Sequence, residues 1–142
     1  MQETFHRVET ILPHQHPSVF VDEISQLCPM EQSIITKNFS EDDWFFEAHF
    51  PGDPVVPGSL QIEAYTQAVA ATILTDQTLE CNFIRLITVD RARFLKAVVP
   101  GDRLKIISKI DKIAMNIITA SARGFVDDIL VSECKIGYKL ET

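Results

Sequence analysis

The chain has 142 residues, of which 46% are hydrophobic and 23% are charged, and its formal net charge is −7. This length is typical of one domain, and the composition is that of a globular protein, which excludes a disordered or fibrous chain. The acidic balance argues against a nucleic-acid partner, because such proteins use Lys and Arg to neutralise phosphates.

Two short stretches rich in β-branched residues predict strands in the N-terminal part of the chain. They cover residues 19–24 and 33–38, and Cys28-Pro29-Met30-Glu31 separates them. β-Branched residues fit a pleated, half-buried surface, whereas proline favours a turn. No repeat or linker-like tract divides the sequence, so we expect residues 1–142 to form one domain.

A rigid loop followed by a buried helix is predicted in the middle of the chain. Residues 51–58 contain three of the seven prolines and two of the five glycines. Proline fixes φ and glycine permits positive φ, so this loop has a specified shape. Residues 59–74 include ten apolar residues distributed all round the helix they would form, which indicates a helix buried on every side.

From about residue 87 to residue 140 the sequence predicts a β-sheet. Apolar or small residues occupy every second position from Leu104 to Ile110 and again from Leu130 to Leu140. Turn signals at residues 100–102 and 127–128 separate these strands. Strands before and after one buried helix predict an α+β fold, in which a mostly antiparallel sheet wraps around a single long helix.

Glu63 is the only formally charged side chain between residues 54 and 75. A carboxylate in a buried helix must be stabilised by its surroundings. Burial favours the neutral acid, whereas the partial positive charge at the helix N-terminus favours the anion. Glu63 is therefore either a catalytic group or a partner of the helix dipole that reaches solvent.

His49 lies just before the loop, within an aromatic stretch at residues 44–50. A neutral histidine can act as a general base, although a single histidine is more often structural. Here the histidine precedes a loop that ends with Gly58 at a helix N-terminus, whose free N–H groups can bind developing negative charge. With Glu63 about one turn inside the helix, this combination favours a catalytic site.

Residues 49–60, HFPGDPVVPGSL, followed by Glu63-Ala64 and Gln67-Ala68, resemble the active-site signature of a known family. This family is the bacterial 3-hydroxyacyl-[acyl-carrier-protein] dehydratases of the FabZ type, which have hot-dog folds. Three flanking segments are similar to the family's motifs as well: Leu12-Pro13-His14 with Pro17 and Val21-Asp22, Arg93-Phe94 with Lys96 and residues 98–104, and Val126-Asp127 with Val131 and Glu133. The resemblance covers most of the chain.

The resemblance implies a role for each matching residue. His49 would be the catalytic histidine, Glu63 the catalytic carboxylate, and the Gly58 backbone N–H would hold the thioester oxygen. Gln67, one turn beyond Glu63, would either orient that carboxylate or satisfy backbone groups. The further substrate-binding candidates are Phe50 and Val56.

The implied reaction is the dehydration of a 3-hydroxyacyl thioester on acyl carrier protein to a trans-2-enoyl thioester, in fatty acid or related lipid, polyene or polyketide biosynthesis. No cofactor is expected. In the family, the His and Glu of each site come from two subunits, which implies a homodimer that can assemble further into a trimer of dimers. Two other functions stay open: a hot-dog acyl thioesterase, and a catalytically silent subunit that binds an acyl carrier.

The chain departs from the family pattern at several positions, but none of the changes removes a catalytic group. Ala48 and Asp128 stand where the family has glycine, and Ser59 replaces an apolar residue. Ser59 is either a helix N-cap or a residue that alters the acyl pocket. His14 and His16 have a spacing that could bind a metal, but no Cys or carboxylate cluster accompanies them, so we expect no metal site.

The basic residues are concentrated in one segment. Residues 85–112 hold eight basic and three acidic side chains, whereas residues 1–84 hold two basic and thirteen acidic ones. Charge alone indicates a solvated sheet face. Together with the resemblance, it favours a docking patch for an acidic acyl carrier protein. The candidate residues of this patch are Arg91, Arg93 and Lys96.

The three cysteines, Cys28, Cys81 and Cys134, lie far apart and include no C-x-x-C pair. This spacing favours free thiols over a disulfide framework or a zinc site. The sequence contains neither an apolar run of the roughly 18 residues that a membrane span needs nor the pattern of a signal peptide at residues 1–7. We therefore expect a cytoplasmic protein without a membrane span.

Overall fold

In the computed structural model, which describes Leu12, residues 21–81 and residues 83–142, six β-strands and one long helix follow one another. Two strands precede the helix, β1 (Glu23–Cys28) and β2 (Gln32–Asn38), and the helix α1 spans Gly58–Leu74. The strands that follow it are β3 (Phe83–Phe94), β4 (Arg103–Ala114), β5 (Ile117–Val126) and β6 (Ile129–Glu141).

The six strands form one sheet in the order β1-β2-β4-β5-β6-β3, and each neighbouring pair is antiparallel. Consecutive strands pair from β4 to β6 through tight hairpins, whereas β3 lies beyond β6 at the sheet edge. The strand that directly follows the helix in the chain therefore pairs with the last described strand.

Helix α1 packs against one face of this sheet and fills the core. Its residues 64–73 are all buried, and Ala64, Ala68 and Ala71 are fully inaccessible to solvent, so the backbone lies close to the strands. The facing strands supply alternate residues, such as Leu104 and Ile106 of β4. This arrangement confirms the predicted α+β fold with a buried central helix.

The helix begins at Gly58, one residue earlier than predicted, and this changes the interpretation of Ser59. The Pro57 carbonyl accepts the first helical hydrogen bonds, from Leu60 at 3.0 Å and Gln61 at 3.2 Å. Pro57 is therefore the N-cap, and no side chain caps this end. The suggestion that Ser59 is the N-cap is wrong, because Ser59 already lies in the first turn with its side chain exposed.

Some strand boundaries differ from the prediction. The first strand was expected at residues 19–24, but β1 runs from Glu23 to Cys28, and residues 19–20 lie outside the described residues. A register shift between Ile24 and Gln26 turns both Ile24 and Leu27 toward the core, so strict alternation is lost. The family-like residues Pro13, His14 and Pro17, as well as His16, also lie outside the described residues.

Two further features of the sheet were not predicted. Strand β3 begins at Phe83, four positions before the expected start, and most of it is exposed. A tight turn at Met115-Asn116 separates β4 from β5, and Met115 has a φ of 59°. The predicted turns at residues 100–102 and 127–128 are both present. No helix in the described parts of the chain is long and apolar enough to cross a membrane.

The β5–β6 hairpin provides a test of backbone strain. Asp127 and Asp128 have φ values of 49° and 63°, as a two-residue hairpin turn with two left-handed positions requires. The substitution Asp128→Gly should raise the free energy of unfolding by about 0.5–1 kcal/mol, because glycine adopts positive φ without a Cβ clash. Urea unfolding measures this gain. An equal gain for Asp128→Ala, which keeps the Cβ, would contradict the backbone explanation.

Candidate active site

Hydrogen bonds to the main chain hold both the backbone and the ring of His49. Its N–H donates to the Phe45 carbonyl at 3.0 Å, and its own carbonyl accepts from the Val55 N–H at 2.9 Å. The ring Nδ1 lies 3.1 Å from the Val55 carbonyl oxygen. Because a carbonyl can only accept, Nδ1 carries the proton in this contact, so in a neutral ring Nε2 is the nitrogen with the lone pair that a general base needs.

The loop between His49 and the helix is tied down at several points. Phe50 and Asp53 exchange two backbone hydrogen bonds, at 3.1 Å and 3.0 Å, around Gly52, whose φ is 77°. Further along, the Val56 N–H donates to the Val98 carbonyl at 2.8 Å. The predicted rigidity of this loop thus rests on hydrogen bonds as well as on its prolines.

Gly58 is the first residue of α1, and the Phe94 ring packs against it. The N–H groups of Gly58 and Ser59 precede the first N–H that bonds within the helix, so they can bind an external acceptor. A Cβ at Gly58 would lie 2.8 Å from Cζ of Phe94. Only glycine allows the Phe94 ring to pack this closely against the helix start.

His49 and Gly58 line one groove of about 370 Å³. Its walls also include Val56, Gln61, Phe94 and Lys96. The structure therefore brings together four of the predicted site residues, His49, Val56, Gly58 and Lys96. A reacting group in this groove would meet a basic ring nitrogen and the positive end of a helix.

Glu63 is half-buried on α1, and it is not among the residues that line this groove. Gln67 is fully buried and donates from Nε2 to Glu63 Oε1 at 2.9 Å. This contact is the one expected if Gln67 orients the carboxylate. Nearby, burial raises the pKa of Tyr138 and the Glu63 charge raises it further, so Tyr138 remains a neutral donor to the Thr66 carbonyl.

The aromatic residues around His49 divide into two groups. Phe45 and Phe46 are buried and pack in the core. Phe50 is 53% exposed and stacks on the His49 ring, with ring centroids 4.1 Å apart. Phe50 is not among the lining residues of the groove, so its contact is with the catalytic candidate and not with the groove wall.

The candidate docking residues occupy two neighbouring places. Lys96 lines the His49 groove, whereas Arg91 and Arg93 line a second groove of about 490 Å³. Arg123 of β5 and Lys135 of β6 line that second groove as well. They belong to strands outside the basic segment 85–112, so the charge count along the sequence missed them, and the antiparallel pairing of the strands brings them together.

Gln61 and Phe94 are among the groove residues that the sequence reasoning did not assign to the site. Gln61 is a buried polar residue of α1, and its signal was an amide on a helix predicted to be buried on every side. Phe94 is the last residue of β3, and its role depends on long-range packing that no local pattern predicts. Within residues 21–81 and 83–142, no group of three or more His, Cys, Asp or Glu could hold a metal ion.

The fold and the groove define a hot-dog protein with a groove at the N-terminus of its central helix. A solved structure with this fold is the dehydratase heterocomplex ApeI:P from Xenorhabdus doucetiae. Its TM-score is 0.81 at 14% identity, with 98% of this chain and 93% of that chain covered. This likeness concerns the fold alone.

Sequence comparison identifies the family. A FabA-like domain matches residues 12–135. The 3-hydroxyacyl-[acyl-carrier-protein] dehydratase FabZ of Syntrophomonas wolfei subsp. wolfei is 45% identical over 107 residues, covering 75% of this chain and 74% of that protein. The FabZ of Anaplasma phagocytophilum is 35% identical over 139 residues, with 96% of each chain covered. The chain therefore belongs to the FabA-like family, and the resemblance to FabZ-type dehydratases is confirmed.

Proposed function

We propose that this chain dehydrates 3-hydroxyacyl-[acyl-carrier-protein] to trans-2-enoyl-[acyl-carrier-protein] in fatty acid or related lipid, polyene or polyketide biosynthesis. The observation that carries the proposal is the groove that both His49 and Gly58, the first residue of α1, line. The 3-hydroxyacyl-[acyl-carrier-protein] dehydratases named above, which are 35–45% identical to this chain, support it.

The reaction needs one base, one oxyanion site and one acid. His49 Nε2 removes a proton from C2 of the acyl chain, and the electron pair moves onto the thioester oxygen. The Gly58 N–H and the positive end of α1 stabilise that oxyanion. When the C2=C3 bond forms, the C3–O bond breaks, and Glu63 gives the leaving hydroxyl a proton, directly or through water. Water is the only other product, so no cofactor is required.

Glu63 must come close to this groove, and within one chain it does not line it. We propose that two copies of the chain form a homodimer and that the partner subunit's Glu63 completes the groove of His49. The support is β3, a strand of 12 residues at the edge of the described sheet with exposed apolar side chains such as Leu86 and Val89. Such edges pair readily with another strand. A trimer of these dimers is the larger assembly we propose.

The carrier would dock beside the groove mouth. Arg91, Arg93, Arg123 and Lys135 line the second groove, and among the described residues Glu133 is the one acidic side chain in its lining. We propose that these cations, together with Lys96, guide the acidic acyl carrier protein so that its thioester enters the His49 groove. A cytoplasmic location is part of the same proposal, and the free thiols of Cys28, Cys81 and Cys134 suit that reducing compartment.

Two other functions make different predictions in the same assay. A hot-dog thioesterase would release free thiol from a 3-hydroxyacyl thioester, whereas a dehydratase produces a conjugated enoyl thioester with new ultraviolet absorbance. A silent carrier-binding subunit would bind the substrate without either change. The pairing of His49 with the start of the helix favours dehydration, because hydrolysis does not need this histidine and silent binding does not need a base.

The variants His49→Ala and Glu63→Gln should each lower kcat by at least about 100-fold, since each removes one proton-transfer group. Enoyl absorbance with a 3-hydroxyacyl-carrier substrate measures the rate, and circular dichroism checks the fold. Glu47→Gln is the matched control, because Glu47 is an exposed carboxylate near the loop. Near wild-type turnover by His49→Ala would refute the assignment.

The composite site predicts complementation between two inactive variants. When His49→Ala and Glu63→Gln are mixed, partly unfolded and refolded together, mixed dimers should regain one intact site, because the intact His49 of one protomer meets the partner's Glu63. About a quarter of the wild-type activity is expected from random pairing of equal amounts. If each site were built from a single chain, the mixture would stay inactive.

Charge reversal of the docking patch should weaken binding of the carrier-bound substrate. The double variant Arg91→Glu and Arg93→Glu is expected to raise KM for the carrier-bound substrate about tenfold at low salt, with kcat nearly unchanged, and the effect should shrink at high salt. Reversal of the exposed Lys109 and Lys112 gives a control with the same change in net charge. An unchanged KM, or an equal rise with a short thioester that lacks the carrier, would contradict docking.

A further inference from the structure

A chain of buried polar side chains connects the sheet to the loop before α1. Gln61 and Tyr65 belong to α1 and Ser132 belongs to β6, and their exposed fractions are 3%, 0% and 0%. Polar groups buried this deeply destabilise a protein unless they are hydrogen-bonded. Apolar side chains would fill the same space without that requirement, so the chain of contacts calls for a functional explanation.

The contacts run in one direction. The Ser132 hydroxyl donates to Gln61 Oε1 at 2.7 Å. Its single proton is thereby used, so the Tyr65 hydroxyl, which contacts the same Ser132 Oγ, is the donor in that pair. At the other end, Gln61 Nε2 donates to the Val56 carbonyl at 3.3 Å. The donors therefore follow one another in order: Tyr65 donates to Ser132, Ser132 donates to Gln61, and Gln61 donates to the backbone of the loop.

The Tyr65 hydroxyl has little freedom to leave this arrangement. A Cβ at position 124 would lie 1.9 Å from the Tyr65 hydroxyl oxygen, so glycine at that position makes room for it. Tyr65 thereby fixes the acceptor side of Ser132, which leaves the serine proton for Gln61. The amide of Gln61 is then oriented with its NH₂ group toward the loop.

Val56 is the point at which this chain meets the site. Its N–H donates to the Val98 carbonyl at 2.8 Å, and its carbonyl accepts from Gln61, so the peptide groups on both sides of Val56 are fixed. The preceding residue, Val55, accepts a hydrogen bond from the His49 ring through its carbonyl. Gly58 lies two residues after Val56. A rotation at Val56 would move the base and the oxyanion donor relative to each other.

We propose that Gln61 is a positioning residue for the reaction, oriented by Ser132 and Tyr65, and that it sets the distance between the His49 ring and the Gly58 N–H. The inference rests on the proposed dehydratase function. Gln61 also lines the groove, but its amide is engaged with Ser132 and Val56, so it acts through the loop and not on the substrate.

The test compares Ser132→Ala and Gln61→Met with wild type in the dimeric enzyme. Each should lower kcat about tenfold, because small displacements of catalytic groups reduce rates strongly, while KM for the carrier-bound substrate stays within about twofold. Their double variant should be no slower than the slower single variant, because both break one chain of contacts. Ser132→Thr, which keeps the hydroxyl, should recover most of the rate.

Ser108→Ala is the matched control. Ser108 is a fully buried serine of β4, and its hydroxyl has no hydrogen-bond partner among the described residues. This control should leave kcat unchanged. If Ser132→Ala lowered only the melting temperature and left kcat as in Ser108→Ala, the chain would be merely structural and the inference would be overturned.

A second measurement separates this inference from the proposed function. The amide resonance of Gly58 in ¹H–¹⁵N spectra reports the loop geometry without any turnover, and it should shift in Ser132→Ala and Gln61→Met but not in Ser108→Ala. Unshifted resonances would overturn the positioning role even in an active enzyme. A wild-type protein that fails to dehydrate the substrate would reject the proposed function, and the Gly58 shift would still decide the positioning of the loop.

Discussion

The hydrogen bond from the Val56 N–H to the Val98 carbonyl, at 2.8 Å, is the constraint on which the site depends. It joins the loop before α1 to the segment that follows β3, two parts of the chain that a buried helix and an entire strand separate. Because of this bond, the His49 ring, the helix start at Gly58 and the Phe94 ring meet around one groove. The helix cannot tilt away, since its alanines pack directly on the sheet. The packing of the core and the geometry of the groove are thus set together.

The groups proposed for the chemistry lie in two places within one chain. The groove brings the His49 residue and the positive end of α1 together, whereas the Glu63 carboxylate is not among the residues that line it. Glu63 is kept apart on α1 and held by Gln67, so its position is defined without occupying the groove of its own chain. In the proposed homodimer, the assembly of two copies is therefore part of the chemistry.

Much of this arrangement could be predicted from the sequence, and the reasons are local. The buried helix followed from apolar residues on all its faces and the rigid loop from Pro and Gly. A long and specific motif predicted roles for His49, Gly58 and Glu63, of which His49 and Gly58 line one groove. The start of β1 could not be predicted, because a register shift near Ile24 removes the alternation that marks a strand. Gln61, Phe94, Arg123 and Lys135 depend on pairing between distant segments, and no local pattern in the sequence carries that information. The suggestion that Ser59 caps the helix was wrong because the Pro57 carbonyl, a backbone group, accepts the first helical hydrogen bonds.

The position of β6 has a consequence for how the protein is made. This strand spans Ile129–Glu141 and pairs with β5 on one side and β3 on the other. During synthesis β3 emerges well before its only strand neighbour within the described sheet, and its apolar side chains have no sheet to join until the last described strand is complete. Strand pairings of such large sequence separation form slowly and leave edges open to aggregation. The nascent chain thus depends on β6 to pair with β3, and a ribosome that stalls before β6 is complete would leave β3 without this neighbour.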